Sequence, residues 1–161
     1  MMHWVAKVND MTPGGSIVIH GLSMGGGIVL DLATKEMQGV KCLISDAPSE
    51  SIQLFFRYVT GDVYKKDWQK ILPYVLDRFR KEFDVDAGLF ERAENIVNCR
   101  YPLLLSAGEL EDRESFFRTI QETCPTDTRV LLLPGCNHGN GMYKQTELYQ
   151  DSIRQFLTEY M

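Results

Sequence analysis

The sequence predicts an α/β protein: about four parallel strands flanked by helices, with a helical insertion. Three observations predict it. Short, continuously apolar runs alternate with helical patterns, as in a parallel sheet buried on both faces. One such run, Ile17-Val18-Ile19, leads into a glycine-crowded turn and then a helix. Between the second and third strands lies a long stretch rich in aromatic and charged residues, with no strand signal of its own.

Met1, Trp4, Val5 and Val8 follow helical spacing, so an opening helix with one apolar face is expected. Asn9-Asp10 and Thr12-Pro13-Gly14-Gly15 stop it. The elbow strand follows, then a helix over Ile28 to Glu36 with Ile28, Leu32 and Val29 inward. Gly39 ends that unit, and Val40 to Ser45 reads as the second buried strand, closing at Asp46-Ala47-Pro48. In the insertion, residues 49–99, Ile52, Phe55, Phe56 and Val59 suggest one helix. Trp68, Ile71, Leu72, Val75, Leu76 and Phe79 suggest a second, interrupted at Pro73, and Leu89, Phe90 and Ala93 a short third. Tyr101 to Ala107 is the third strand, with Pro102 near its start where a missing N–H is tolerated. Phe116, Phe117 and Ile120 mark a helix, and Arg129 to Leu133 the fourth strand. The last helix sets Tyr149, Ile153, Phe156, Leu157 and Tyr160 on one face. We expect a single domain over 1–161, with the insertion able to roof the carboxyl ends of the strands.

Composition narrows the function. The chain has 161 residues, 44% of them hydrophobic and 24% charged, which fits a globular domain with a real core. A net charge of −5 gives no basic footprint, so nucleic acid is not expected as a partner. No apolar run approaches a membrane span, and the opening residues show no signal-peptide pattern, so no membrane association and a cytoplasmic location are expected. Cys42, Cys99, Cys124 and Cys136 form no C-x-x-C pair and read as free buried thiols. Neither they nor the three histidines show metal-ligand spacing, so no metal and no cofactor are expected.

The turn Gly21-Leu22-Ser23-Met24-Gly25 matches G-x-S-x-G in its meaningful context, strand to turn to helix. A serine at such a junction holds strained backbone, so Gly21 and Gly25 are expected to relieve crowding between the two arms of the turn. Gly26 and Gly27 would let the helix lie close on the sheet. Ser23 then stands at a helix N-terminus, which favours developing negative charge, and the Met24 N–H can serve an oxyanion. The plain alternative is a glycine-rich βα turn with an incidental serine.

A serine needs a base, and the base needs an orienting carboxylate. His3 lies on the opening helix, and His20 inside the elbow strand reads as structural. His138 follows the last strand in a Gly/Asn-rich loop and is the expected base. For the acid, Glu111 ranks first, Asp112 second and Asp46 third, all at strand ends; each could instead be a helix-cap or first-turn charge.

With these residues in place the sequence resembles the α/β-hydrolase superfamily, in its bacterial serine-hydrolase branch, over nearly the whole chain. The resemblance is carried by G-L-S-M-G-G at the elbow, Leu43-Ile44-Ser45-Asp46, Pro102-Leu103-Leu104-Leu105, Gly108-x-x-Glu111 and Pro134-Gly135-x-x-His138-Gly139. It implies Ser23 as nucleophile, His138 as base and no cofactor. The acid slot, usually aspartate, here holds Glu111. In that superfamily further strands precede the elbow strand and supply a second oxyanion donor. The chain is therefore expected to be the C-terminal portion of a longer hydrolase. One certain donor, Met24 N–H, remains, and the open edge of the elbow strand is available for self-association. The expected substrate is a small acyl compound: an ester, with thioester or peptide as alternatives. A catalytically impaired fragment that only binds or self-associates is the competing expectation.

Overall fold

The computed structural model describes residues 1–87 and 92–161. Its elements run α1 (Met2–Met11), β1 (Ile17–Leu22), α2 (Met24–Leu32), β2 (Val40–Asp46), α3 (Ile52–Tyr64), α4 (Trp68–Phe83), α5 (Arg92–Asn95), β3 (Leu103–Gly108), α6 (Glu114–Thr123), β4 (Thr128–Leu133), α7 (Gly141–Lys144) and α8 (Thr146–Tyr160). The strands form one four-stranded sheet in the order β1-β2-β3-β4, parallel throughout. Among the described residues β1 pairs only with β2, so its outer edge carries no strand.

Side chains alternate across a strand, and here both faces are dry. Leu43, Leu103 and Leu105 point to one face and join Val29 and Leu30 of α2, Ala33 just after it, and Phe116, Phe117 and Ile120 of α6. Cys42, Ile44 and Leu104 point to the other and meet Phe156 of α8. That two-sided burial is why these strands read as unbroken apolar runs. The four cysteines are free, with Cys124 partly exposed and the others buried. No helix among the described residues is long and apolar enough to cross a membrane.

Several local expectations shift. The buried residues of α2 are Gly26, Gly27, Val29 and Leu30, rather than Ile28 and Leu32, which are half-buried. The helix starts directly behind the elbow, so the turn sets its rotation. It also ends at Leu32, short of Glu36. In α1 only Val5 is buried, and Trp4 stays 69% exposed, so its apolar face is largely uncovered. Helix α4 continues through Pro73 without a break. Pro73 is exposed, so the backbone carbonyl that loses its donor can be hydrated instead. Of the third insertion helix, Ala93 falls in α5, while Leu89 and Phe90 lie outside the described residues.

Candidate active site

The strand register brings the chemistry-bearing loops to one rim. Leu22 pairs with Asp46, Asp46 with Ser106, and Gly108 with Leu133, so the carboxyl ends of all four strands finish together. Ser23 follows β1 with φ 58° and ψ −114°, a left-handed conformation for a residue bearing a Cβ. Such backbone costs about 1–3 kcal/mol and persists only when its surroundings hold it. Here the Ser23 N–H donates to the Asp46 carbonyl at 2.8 Å, and the Ser23 carbonyl accepts from the Gly27 N–H at 3.0 Å.

The turn closes because glycine lets the backbones meet. A Cβ on Gly21 would stand 2.2 Å from the Gly25 carbonyl oxygen, and one on Gly26 would stand 2.5 Å from that of Asp46. Gly25 differs from expectation: a Cβ there meets nothing within 4 Å, since it is the carbonyl of Gly25 that crowds Gly21. Gly27 makes room for the Arg92 guanidinium rather than for the sheet.

Three side chains form a continuous line. Ser23 Oγ lies 2.8 Å from His138 Nε2, and His138 Nδ1 lies 2.5 Å from Glu111 Oε2. The other oxygen of Glu111 accepts from the Gly108 N–H at 2.9 Å. Two cross-links join the loops that carry the acid and the histidine. The Leu110 N–H donates to the Cys136 carbonyl at 3.0 Å, and the Gly135 N–H donates to Glu109 Oε2 at 2.9 Å.

The protonation states follow from these contacts. Burial alone would raise the Glu111 pKa, but hydrogen bonds from His138 and the Gly108 N–H, with the charges of His138 and Arg113, bring it below its usual value. An ionised carboxylate only accepts, so Nδ1 of His138 carries a proton and Nε2 is left to accept from the Ser23 hydroxyl. The hydrogen bond to Glu111 raises the His138 pKa above 6.5, against the opposing effect of burial. The Glu111 side chain is 5% exposed while His138 is 54% exposed, so the acid is sheltered and the base faces the cleft.

The other candidates are elsewhere. Asp112, also left-handed at φ 53°, is exposed and stands outside this line. Asp46 is buried and accepts from Ser106 Oγ and from the Tyr149 hydroxyl, both at 2.8 Å, so it serves the frame below the rim. His20 is exposed at the β1 edge, 3.3 Å from the Tyr149 hydroxyl. His3 is exposed on α1. Met24 opens α2 directly behind Ser23, where a backbone N–H has no intrahelical acceptor.

A cleft of about 820 Å³ opens over the rim, lined by Ser23 and His138 on one side and by Phe55, Tyr58, Val59 and Trp68 on the other. Sequence reasoning missed two buried arginines, of which Arg113 lines the cleft. Arg92 is buried and reaches the Gly27 carbonyl (3.0 Å), Asp31 (3.0 and 2.9 Å) and both oxygens of Ser49 (2.8 and 3.0 Å). Arg113 is buried at the start of α6, its Nη1 3.2 Å from Glu50 and its Cζ 5.3 Å from the Tyr58 ring centre. Nothing in the local sequence marks either, since their partners lie far along the chain.

This arrangement is the α/β-hydrolase fold. No protein-family model matches the sequence, and no curated protein matches it. Solved structures do. An esterase of Pyrococcus furiosus aligns at TM-score 0.69 and 17% identity, over 99% of this chain and 60% of the esterase. A proline iminopeptidase of Mycobacterium smegmatis aligns at 0.67 and 15%, over 98% of this chain and 70% of the peptidase. The naproxen esterase of Bacillus subtilis aligns at 0.62 and 18%, over 96% and 65%. The chain thus spans about 60% of the length of the Pyrococcus esterase it matches.

Proposed function

We propose that this chain carries the catalytic residues of a serine hydrolase that cleaves carboxylic esters through an acyl-enzyme on Ser23. The observation that carries the reading is the unbroken line Ser23–His138–Glu111, with contacts of 2.8 and 2.5 Å, at the mouth of the cleft. In the first step Ser23 Oγ bonds to the substrate carbonyl carbon while its proton passes to His138 Nε2. The carbonyl π pair moves onto oxygen, and the Met24 N–H is oriented to receive that charge. As the carbonyl re-forms, the bond to the alcohol oxygen breaks and His138 returns its proton to the leaving group. Water then repeats the sequence on the acyl-enzyme and frees Ser23. Glu111 keeps its proton off throughout and stabilises the imidazolium. None of these steps calls on a cofactor. The same machinery serves a thioester or peptide, and the half-aromatic wall of the cleft favours an apolar acyl or alcohol portion.

Fluorophosphonate labelling followed by mass spectrometry tests the reading. The expected result is one adduct on Ser23, none in Ser23→Ala, and ester turnover lower by about 10⁴-fold or more in that variant. A folded protein that takes no label would establish the competing, catalytically inert reading.

A further inference from the structure

The charges that line the cleft are Arg57, Asp62, Glu111 and Arg113. Both acids are committed. Asp62 pairs with Lys65 at 3.2 Å, and Glu111 with His138 at 2.5 Å. The two arginines are held differently. Arg57 lies over the Trp68 ring at 5.1 Å, with no carboxylate in an ion pair with it among the described residues. Arg113 has only 7% of its side chain exposed and, among the described residues, one ion-pair partner, Glu50, which is itself 41% exposed. Its Nε is buried with no acceptor among the described residues. The cleft thus holds a buried guanidinium with a donor to spare.

A buried guanidinium offers five N–H donors in one plane, and a dry donor without an acceptor is costly. Arg113 and Tyr58 line the cleft together, with the guanidinium carbon 5.3 Å from the ring centre. A carboxylate matches a guanidinium in shape and charge. The position is also close to the chemistry, since the charge of Arg113 acts on both His138 and Glu111.

We propose that Arg113 is a specificity residue of the cleft and selects ester substrates that bear a free carboxylate. This rests on the hydrolase reading given above. The carboxylate docks against the guanidinium beside Tyr58, shares it with Glu50, and places the ester carbonyl over Ser23. Arg57, also at the cleft, adds long-range attraction.

Two matched esters test it: mono-p-nitrophenyl glutarate, which is anionic, and p-nitrophenyl pentanoate, which is neutral. The unmodified chain is expected to favour the glutarate in kcat/KM by about tenfold to a hundredfold. Arg113→Met is expected to bring that ratio close to one, and Arg113→Lys to restore part of it. A purely structural role would lower both rates together and leave the ratio where it was. Equal rates for the two esters in the unmodified chain would overturn the inference, as would a preference that survives Arg113→Met. Should Arg113→Met fail to fold, fluorophosphonate labelling of the unmodified chain decides. Millimolar glutarate should slow the labelling of Ser23 and glutaramide should not. Equal protection by the two overturns this inference alone, whereas absence of any label overturns the hydrolase reading and this one with it.

Discussion

The sheet and the helical segment between β2 and β3 are held by different forces. In the sheet, Cys42, Leu43, Leu103 and Leu105 are fully buried, and the helices on both faces seat aromatic and aliphatic side chains against them. Helix α4, by contrast, buries none of its residues completely, and α3 buries only Thr60. These two helices touch through half-buried aromatics, with Phe56 and Phe79 at 5.1 Å between ring centres. The end of the segment joins the sheet's core through Ile96 and Cys99, and the rest is tied to it by polar contacts. Arg92 reaches back to α2 and Ser49, and Arg113 reaches across to Glu50 and Tyr58. The lesson is a division of labour. Groups that hold hydrogen-bond distances sit on the rim of a close-packed frame, while the helical wall of the cleft is only half-buried.

The comparison breaks first, and by the largest effect, at the rim. Glu111→Gln preserves the size of the side chain but removes its charge. The amide can turn an N–H toward His138, which then carries its proton on the wrong nitrogen. We expect kcat to fall by about 10²–10⁴-fold, with the melting temperature little changed. Rapid-mix kinetics alongside thermal unfolding checks this. A loss smaller than fivefold would mean that another group orients His138, with Asp112 the first to examine.

A pair of truncations sharpens the same contrast in stability. Leu105→Ala opens a void in the sheet's dry face and should cost about 2–5 kcal/mol. Phe79→Ala removes a larger side chain, yet its site is half-buried and free to collapse, so we expect the smaller cost of the two, about 1–2 kcal/mol. Urea unfolding measures both. Equal losses would show the helical segment to be as tightly packed as the sheet.

How legible each region was follows the same divide. The four strands, the elbow and His138 could be read from sequence because their signals span a few residues: an apolar run, a glycine at a fixed offset, a loop behind a strand. Choosing between Glu111 and Asp112 was less direct, because the two are adjacent. What separates them is backbone. Asp112 adopts a left-handed φ of 53° and is carried outward, while Glu111 closes a short 3₁₀ turn and folds back on the Gly108 N–H. The contribution of Gly25 was misassigned because a spacing rule cannot say which of two facing backbones carries the crowding carbonyl. Arg92 and Arg113 were out of reach altogether, since their partners stand 65 and 63 residues away. Long-range polar contacts of this kind leave no periodicity in the sequence.

The mildest effect, and the one that probes the rim without altering any side chain, is that of pH. Activity through Ser23 requires His138 unprotonated at Nε2. Its pKa is raised chiefly by the hydrogen bond to Glu111, so the proton is held to higher pH than in a free imidazole. The kcat/KM profile should therefore rise with pH and reach half its plateau above 6.5, the ordinary histidine value. Removing the charge of Glu111 removes the cause of the shift, so Glu111→Gln should move the midpoint to lower pH even as it lowers the plateau. The stability side has opposite signs at the two partners. A raised His138 pKa contributes stability that is full below 6.5 and fades as pH climbs through the folded value. A lowered Glu111 pKa contributes stability above its ordinary value of 4.5 that is lost as pH falls through the folded one. The ion pair is therefore complete only in the acidic window between them, where the proposed reaction would be slowed, because a protonated His138 cannot accept the Ser23 proton. A midpoint below 6.5 in the unmodified chain would show that the contact between His138 and Glu111 does not govern the base.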